Sequence, residues 1–157
     1  MLTKYLWIFF ISMVPIVELR GAIPVSQAFN PPLPLLTSYI VCIVGNMIPV
    51  PFIFLFARRF LEWGQNKKYI GGICRFFLEK GHKGGAKLTE KAGRGGLFIA
   101  LMLFVGIPLP GTGAWTGTLA ASILDMDFKS TVWAVMLGVL IAGIIMMCIS
   151  FGIFSFI

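Results

Sequence analysis

The chain has 157 residues, of which 58% are hydrophobic and only 12% charged, with a mean hydropathy of +0.93 and a formal net charge of +7. A soluble domain is nearer half apolar and a quarter charged, so an ordinary water-soluble fold is excluded; 14% aromatic content on top of this apolarity excludes disorder. The length suits one compact unit, and a small integral membrane protein, 1–157 as a single membrane domain, is what remains.

In chain order, four apolar stretches stand out. Tyr5–Val17 is ended by Glu18 and Arg20. Leu35–Ala57 carries no charge until Arg58. Leu97–Leu109 is closed by Pro110-Gly111-Thr112-Gly113, and Ser130–Ile157 has no charge at all. About 20 residues are needed to cross the hydrocarbon core, so the second and fourth stretches span, while the first and third stop past the midplane.

The two short stretches lead into similar segments. Gly21-Ala22-Ile23-Pro24 leads through a short arm, Val25–Phe29, to Asn30-Pro31-Pro32 and the span 35–57. Gly113-Ala114-Trp115-Thr116, 92 positions later, leads through Leu119–Leu124 to Asp125-Met126-Asp127 and the span 130–157. The expected architecture is all-α, an inverted repeat of hairpin plus span: 1–57 (hairpin 5–29) and 97–157 (hairpin 97–124), with each hairpin re-entrant and the breaks meeting near the midplane. A plain four-helix topology, with Tyr5–Phe29 as one kinked span, is the alternative, since spanning helices tolerate Pro and Gly. A cleaved signal peptide over Met1–Ala28 is disfavoured because Glu18 and Arg20 fall where a signal stays neutral.

Between the halves lies the basic segment 58–96. Ten of the thirteen Lys and Arg fall between Arg58 and Arg94, opposed by Glu62, Glu79 and Glu90. In so apolar a chain this is a topology signal rather than a nucleic-acid site: it places the loop in the cytoplasm and both termini outside, in the cell (plasma or inner) membrane. Ile70, Ile73, Cys74 and Phe77 keep helical spacing, as in an interfacial amphipathic helix facing anionic head groups. Gly81-His82-Lys83-Gly84-Gly85 and Gly93-Arg94-Gly95-Gly96 lack a preceding strand and a P-loop ending, and read as hinges; His82 reads as solvated. Cys42, Cys74 and Cys148 are isolated, so neither disulfide nor metal is expected, and no cofactor is implied.

Glu18 and Arg20 are the sharpest candidates, because an ionisable group at membrane depth costs several kcal/mol unless paired, neutral or hydrated. The second break, Pro108-Leu109-Pro110-Gly111-Thr112-Gly113-Ala114-Trp115, leaves backbone groups unpaired, which membrane depth tolerates only inside protein or facing water. Arms starting near Arg20 and Thr112 would aim N–H groups and positive dipole ends at one cavity, with Thr112 capping the second. With Arg20 beside them, the cavity should take an anionic group such as a phosphate or carboxylate, and Glu18 is the candidate proton or cation site. Gly21, Pro24 and Asn46 complete the expected set with Pro108, Pro110, Gly111, Gly113 and Trp115. Ser130 is a candidate cap for the last helix. Gly138, Ala142 and Gly143 offer a small-residue face on which a homodimer could form. No nucleophile, base and acid fall together in the apolar stretches, so no enzyme is expected.

The blocks Glu18-Leu19-Arg20-Gly21-Ala22-Ile23-Pro24, Gly45-Asn46-Met47-Ile48-Pro49-Val50-Pro51, Pro108–Gly117 and Gly138–Gly143 occur in order along the chain, and together they resemble the small multi-drug export protein family. That family is similar to the DedA superfamily of re-entrant-loop membrane proteins. The family name implies drug efflux, and an exporter of lipophilic cations with Glu18 as counter-ion is a separate reading of the same residues. The DedA resemblance implies translocation of phosphate-bearing lipids. An ion-coupled transporter or translocase of an anionic lipid or amphiphile is the leading expectation, with membrane lipids and protons as partners. A cation exporter and a non-transporting membrane scaffold are the alternatives.

Overall fold

The structure is a computed structural model and describes residues 1–155. It is all-α, with no strand among the described residues: α1 (Leu2–Met13), α2 (Glu18–Ala28), α3 (Leu35–Met47), α4 (Pro49–Gly64), α5 (Gly71–Gly106), α6 (Ala114–Ile123) and α7 (Phe128–Ser155). Among the described residues, two helices are long and apolar enough to cross a membrane: α3 and α4, which run together as Leu35–Gly64, and α7 over Phe128–Ile153. The expected last span ended at Ile157, and its final two residues lie outside the described ones.

Proline sets the first break, but at a different place from the expected one. Val14 precedes Pro15 and is extended (φ −72°, ψ 129°), the conformation that proline imposes on its predecessor, and α1 ends there. The turn is Val14–Val17, whereas Gly21-Ala22-Ile23-Pro24, the expected break, lies inside α2. Pro24 merely removes the N–H that would bond to the Arg20 carbonyl, a local loss within an otherwise packed helix. Leu19, Ala22 and Ile23 are fully buried there.

Hydropathy also misplaces the central segment. The charges from Arg58 onward end an apolar run but not a helix, because Arg, Glu and Leu are good helix formers and Arg58 pairs with Glu62 one turn on at 3.6 Å. Helix α4 therefore continues to Gly64, and α5 takes up most of what was expected to be linker. Gly81 and Gly85 are not hinges but contact points. A Cβ on either would lie 2.0 or 2.2 Å from the carbonyl oxygens of Ile123 and Leu124 at the end of α6. Gly93 alone interrupts α5, at φ 71°.

Both short helix pairs fold back on themselves. The Lys4 ammonium at the start of α1 donates to the carbonyls of Asn30 and Pro31 just beyond α2. In the second pair, Leu97 and Leu101 of α5 share a hollow with Ala121, Leu124 and Met126. The open end of the first pair lies by the start of α3, and that of the second lies by Arg58, whose guanidinium binds Asp125. Helix α7 runs back along α3 and α4: Phe128 meets Phe54, and the Tyr39 hydroxyl donates to the Leu140 carbonyl at 3.0 Å. The small residues of α7 are used within this bundle. Gly138 admits Val105 and the Met102 carbonyl, Gly143 admits the Tyr39 ring, and Ala142 is buried. That face is therefore not open to a second copy.

Asp127, not Ser130, caps α7: the Ser130 N–H donates to Asp127 Oδ2 at 3.0 Å. That bond, and to a lesser degree Arg94 nearby, holds the Asp127 carboxyl below its ordinary pKa. A depressed native pKa means the cap stabilises the fold above the unfolded value and is lost as pH falls through the native one. Asp127→Ala should cost about 1 kcal/mol at neutral pH. The gap between variant and wild type, measured as thermal unfolding in detergent micelles, should close on acidification below about pH 4.

Candidate functional site

The two breaks meet, and α2 carries the charges that join them. Helix α6 begins with N–H groups that have no partner inside the helix, and α5 ends with carbonyls in the same condition. Glu18 lies at the first: Oε2 accepts from the Ala114 N–H at 3.1 Å and Oε1 from the Trp115 N–H at 3.0 Å. Arg20 lies at the second: its guanidinium donates to the carbonyls of Leu109 (2.6 Å), Thr112 (2.5 Å), Val105 (3.1 Å) and Ile107 (3.2 Å). A carboxylate thus meets a positive helix end and a cation a negative one, with the dipole complementing the charge in each case. The planar five-donor fork of arginine is what allows four acceptors to be served at once.

Glu18 and Arg20 do not pair with each other. Glu18 is 5% exposed, and its direct partners are the two amide N–H groups, with the Arg20 charge acting on it through space. Its backbone is left-handed at φ 49°, two residues after Ile16 at φ 81°. Such conformations cost about 1–3 kcal/mol each in non-glycine residues and persist where the surroundings demand them. Here they turn the carboxylate from the end of the first break toward α6.

The second break is shaped to receive it. Pro108 and Pro110 bring no N–H that would compete for the carbonyls Arg20 uses. Gly111 (φ 81°) is exposed and only turns the chain. Thr112 does not cap α6: its hydroxyl donates backward to the carbonyls of Ile107 and Leu109 at 2.8 and 2.9 Å, bracing the loop. Gly113 (φ 148°) leaves room for Glu18, since a Cβ there would lie 2.4 Å from Oε2. Trp115 adds a second tie, its indole N–H donating to the Met13 carbonyl at 3.1 Å.

Not every expected residue joins this contact. Gly21 and Pro24 are in α2, and a Cβ on Gly21 would meet only Val17. Asn46 is 2% exposed in α3, and its Oδ1 has no hydrogen-bond partner. The N–H groups expected to await an anionic ligand are those Glu18 holds. Sequence reasoning missed the recipients, which are main-chain atoms of residues 105–115 and carry no side-chain pattern. It also missed Asp125, which joins Arg58 of α4 to His82 of α5, the latter at 3.5 Å.

Two long apolar helices, with short broken ones folded around a buried charge contact, define an α-helical membrane protein. The model of the family described as "Putative small multi-drug export protein" matches residues 18–145, and the chain belongs to that family. The match opens at Glu18, the residue that closes on α6. No curated protein and no solved structure matches the chain.

Gly113→Ala should displace the Glu18 carboxylate and orphan two buried N–H groups, lowering stability by about 2 kcal/mol or more. Since Glu18 has then already lost its partners, adding Glu18→Ala should cost little further. Losses that simply add in this double-mutant cycle would show the two residues to be uncoupled.

Proposed function

We propose that this protein is a membrane transporter in which the Glu18 contact with α6 is a gate worked by protonation, and that its substrate is an anionic amphiphile. The observation that carries this is Glu18 itself, a buried carboxylate seated on a helix N-terminus, where an anion is at home. In that seat both oxygens accept hydrogen bonds. A proton on either would turn an acceptor into a donor facing another donor, and the contact would open. The N–H groups of Ala114 and Trp115 would then be free for the anionic group of a substrate, so that one proton taken up by Glu18 accompanies one anion bound. Arg20 keeps the end of α5 in place while α6 changes partner. The transport class is supported by the family description, and the lipid-like substrate by the resemblance of that family to the DedA superfamily.

The re-entrant, inverted arrangement belongs to the same proposal. Arg20 meets Thr112 at a separation of 92, the offset that relates the two halves of the sequence, as expected where equivalent positions face each other across an axis. The second arm of each half packs against both spans, α2 against α3 and α7, and α6 against α4 and α7. The open end of the first hairpin lies by the start of α3 and that of the second by Arg58 of α4, which supports reading the halves as inverted. With the basic segment in the cytoplasm, both termini would be outside. A homodimer would have to use a face other than Gly138 and Gly143.

Export of lipophilic cations is the second reading, favoured by the family description and by Glu18 as a buried carboxylate able to serve as counter-ion. Purified protein in liposomes under a pH gradient separates the two. A phosphate-bearing single-chain amphiphile should drive proton movement that Glu18→Gln reduces at least tenfold. A response confined to cationic dyes, preserved in Arg20→Ala, would transfer the assignment to the cation exporter. Silence toward both would leave a scaffold.

A further inference from the structure

Trp115 has a second environment that the gate does not use. Its ring is the inner wall of two adjoining hollows between α4 and α6. One, about 360 Å³, is walled only by apolar side chains, among them Phe56, Phe60, Phe77, Leu119 and Ile123. The other, about 720 Å³, shares Ile53, Phe56 and Trp115 with the first and ends on Arg58, Arg59 and Glu62. Together they form a groove from the gate, where the Trp115 N–H binds Glu18, to the basic end of the bundle. Three helices supply its walls, since Phe77 comes from α5, so it is concave rather than a bare helix face turned to lipid.

The charge at the open end is decided by elimination. Arg58 is already engaged by Glu62 and Asp125, and Glu62 by Arg58. Arg59 is exposed and has no ion pair among the described residues. The charged lining of the larger hollow, Arg58, Arg59 and Glu62, is net positive, and Arg59 is its member without an ion pair. Ligand sites usually measure about 300–1,000 Å³, and the apolar hollow lies at the small end, suited to one hydrocarbon chain.

We propose that this groove binds a single-chain anionic amphiphile, its head group at Arg59 and its chain running past Phe56 and Phe77 to Trp115. The proposal deepens the transport reading, naming where the apolar part of the substrate lies, and rests on it for the role of that occupant. Binding and transport can nevertheless be measured separately. A chain end that reaches Trp115 presses on the residue next to the gate, so occupancy of the groove and release of Glu18 share one side chain.

The test uses the whole protein in nanodiscs of zwitterionic lipid, with Trp7→Phe, Trp63→Phe and Trp133→Phe leaving Trp115 as the sole tryptophan. The probes are 11-bromoundecyl phosphate and the trimethylammonium compound of the same chain, bromine being the quencher. The phosphate should quench Trp115 saturably and the ammonium compound should not. Arg59→Gln should weaken the phosphate about five- to tenfold, the loss of one charge-assisted contact. Ala57→Phe should abolish saturation by filling the hollow, and Leu119→Phe serves the same purpose if that variant fails to fold. Equal quenching by both probes, indifferent to Arg59→Gln and to the filling variant, would mean ordinary lipid contact and overturn the groove. Transport without saturable quenching would overturn the groove alone, and saturable quenching without transport would overturn the gate alone.

Discussion

A carboxylate withdrawn from water must be balanced, and in this chain the balance is made by the start of another helix. The rest of the arrangement depends on seating Glu18 against Ala114 and Trp115. The seat requires α6 to begin at a break, so Pro108 and Pro110 end the preceding helix and Gly113 leaves the space. It requires α2 to begin at a break as well, which Pro15 supplies. It also requires something to hold the end of α5 beside it, and Arg20, two residues away, takes four carbonyls at and just beyond that end. Charges that would be a burden in lipid become the means by which two broken helices satisfy their ends, where water or a third helix would otherwise be needed.

This economy separates what the sequence discloses from what it conceals. Glu18 and Arg20 are legible because a charge inside an apolar stretch has no bland explanation, and Pro108–Gly113 because proline and glycine crowd there. Their partnership is not legible. A backbone N–H is present at every residue but proline, so nothing in the order of side chains marks Ala114 and Trp115 as the donors that Glu18 meets. The misplaced first break has a different origin. Pro15 lies in the middle of an apolar run and is invisible to hydropathy, while Gly21 and Pro24 look like a break but fall where α2 is packed around Leu19, Ala22 and Ile23 and tertiary packing overrides local preference.

The basic segment teaches the converse. Its charges mark it off from the apolar runs and say nothing about whether it is helical. Arg58 illustrates the point: it ends the apolar run, continues α4 through its bond to Glu62, and reaches across to Asp125. One residue closes an apolar run, continues a helix and tethers elements 67 positions apart, and only the first of these is visible without coordinates. His82, expected to be merely solvated, shares the same aspartate.

The length of the first spanning helix carries a mechanical implication. Its thirty residues measure about 45 Å, some 15 Å more than the hydrocarbon slab, so it must lean or protrude. Its one interruption is at Ile48, just ahead of Pro49. From that point the groove wall at Ile53 is about 8 Å away and the tip at Gly64 about 24 Å. A rotation too small to register beside Trp115 would be magnified about threefold at the 65–70 turn, which makes that turn the natural position for a probe of motion.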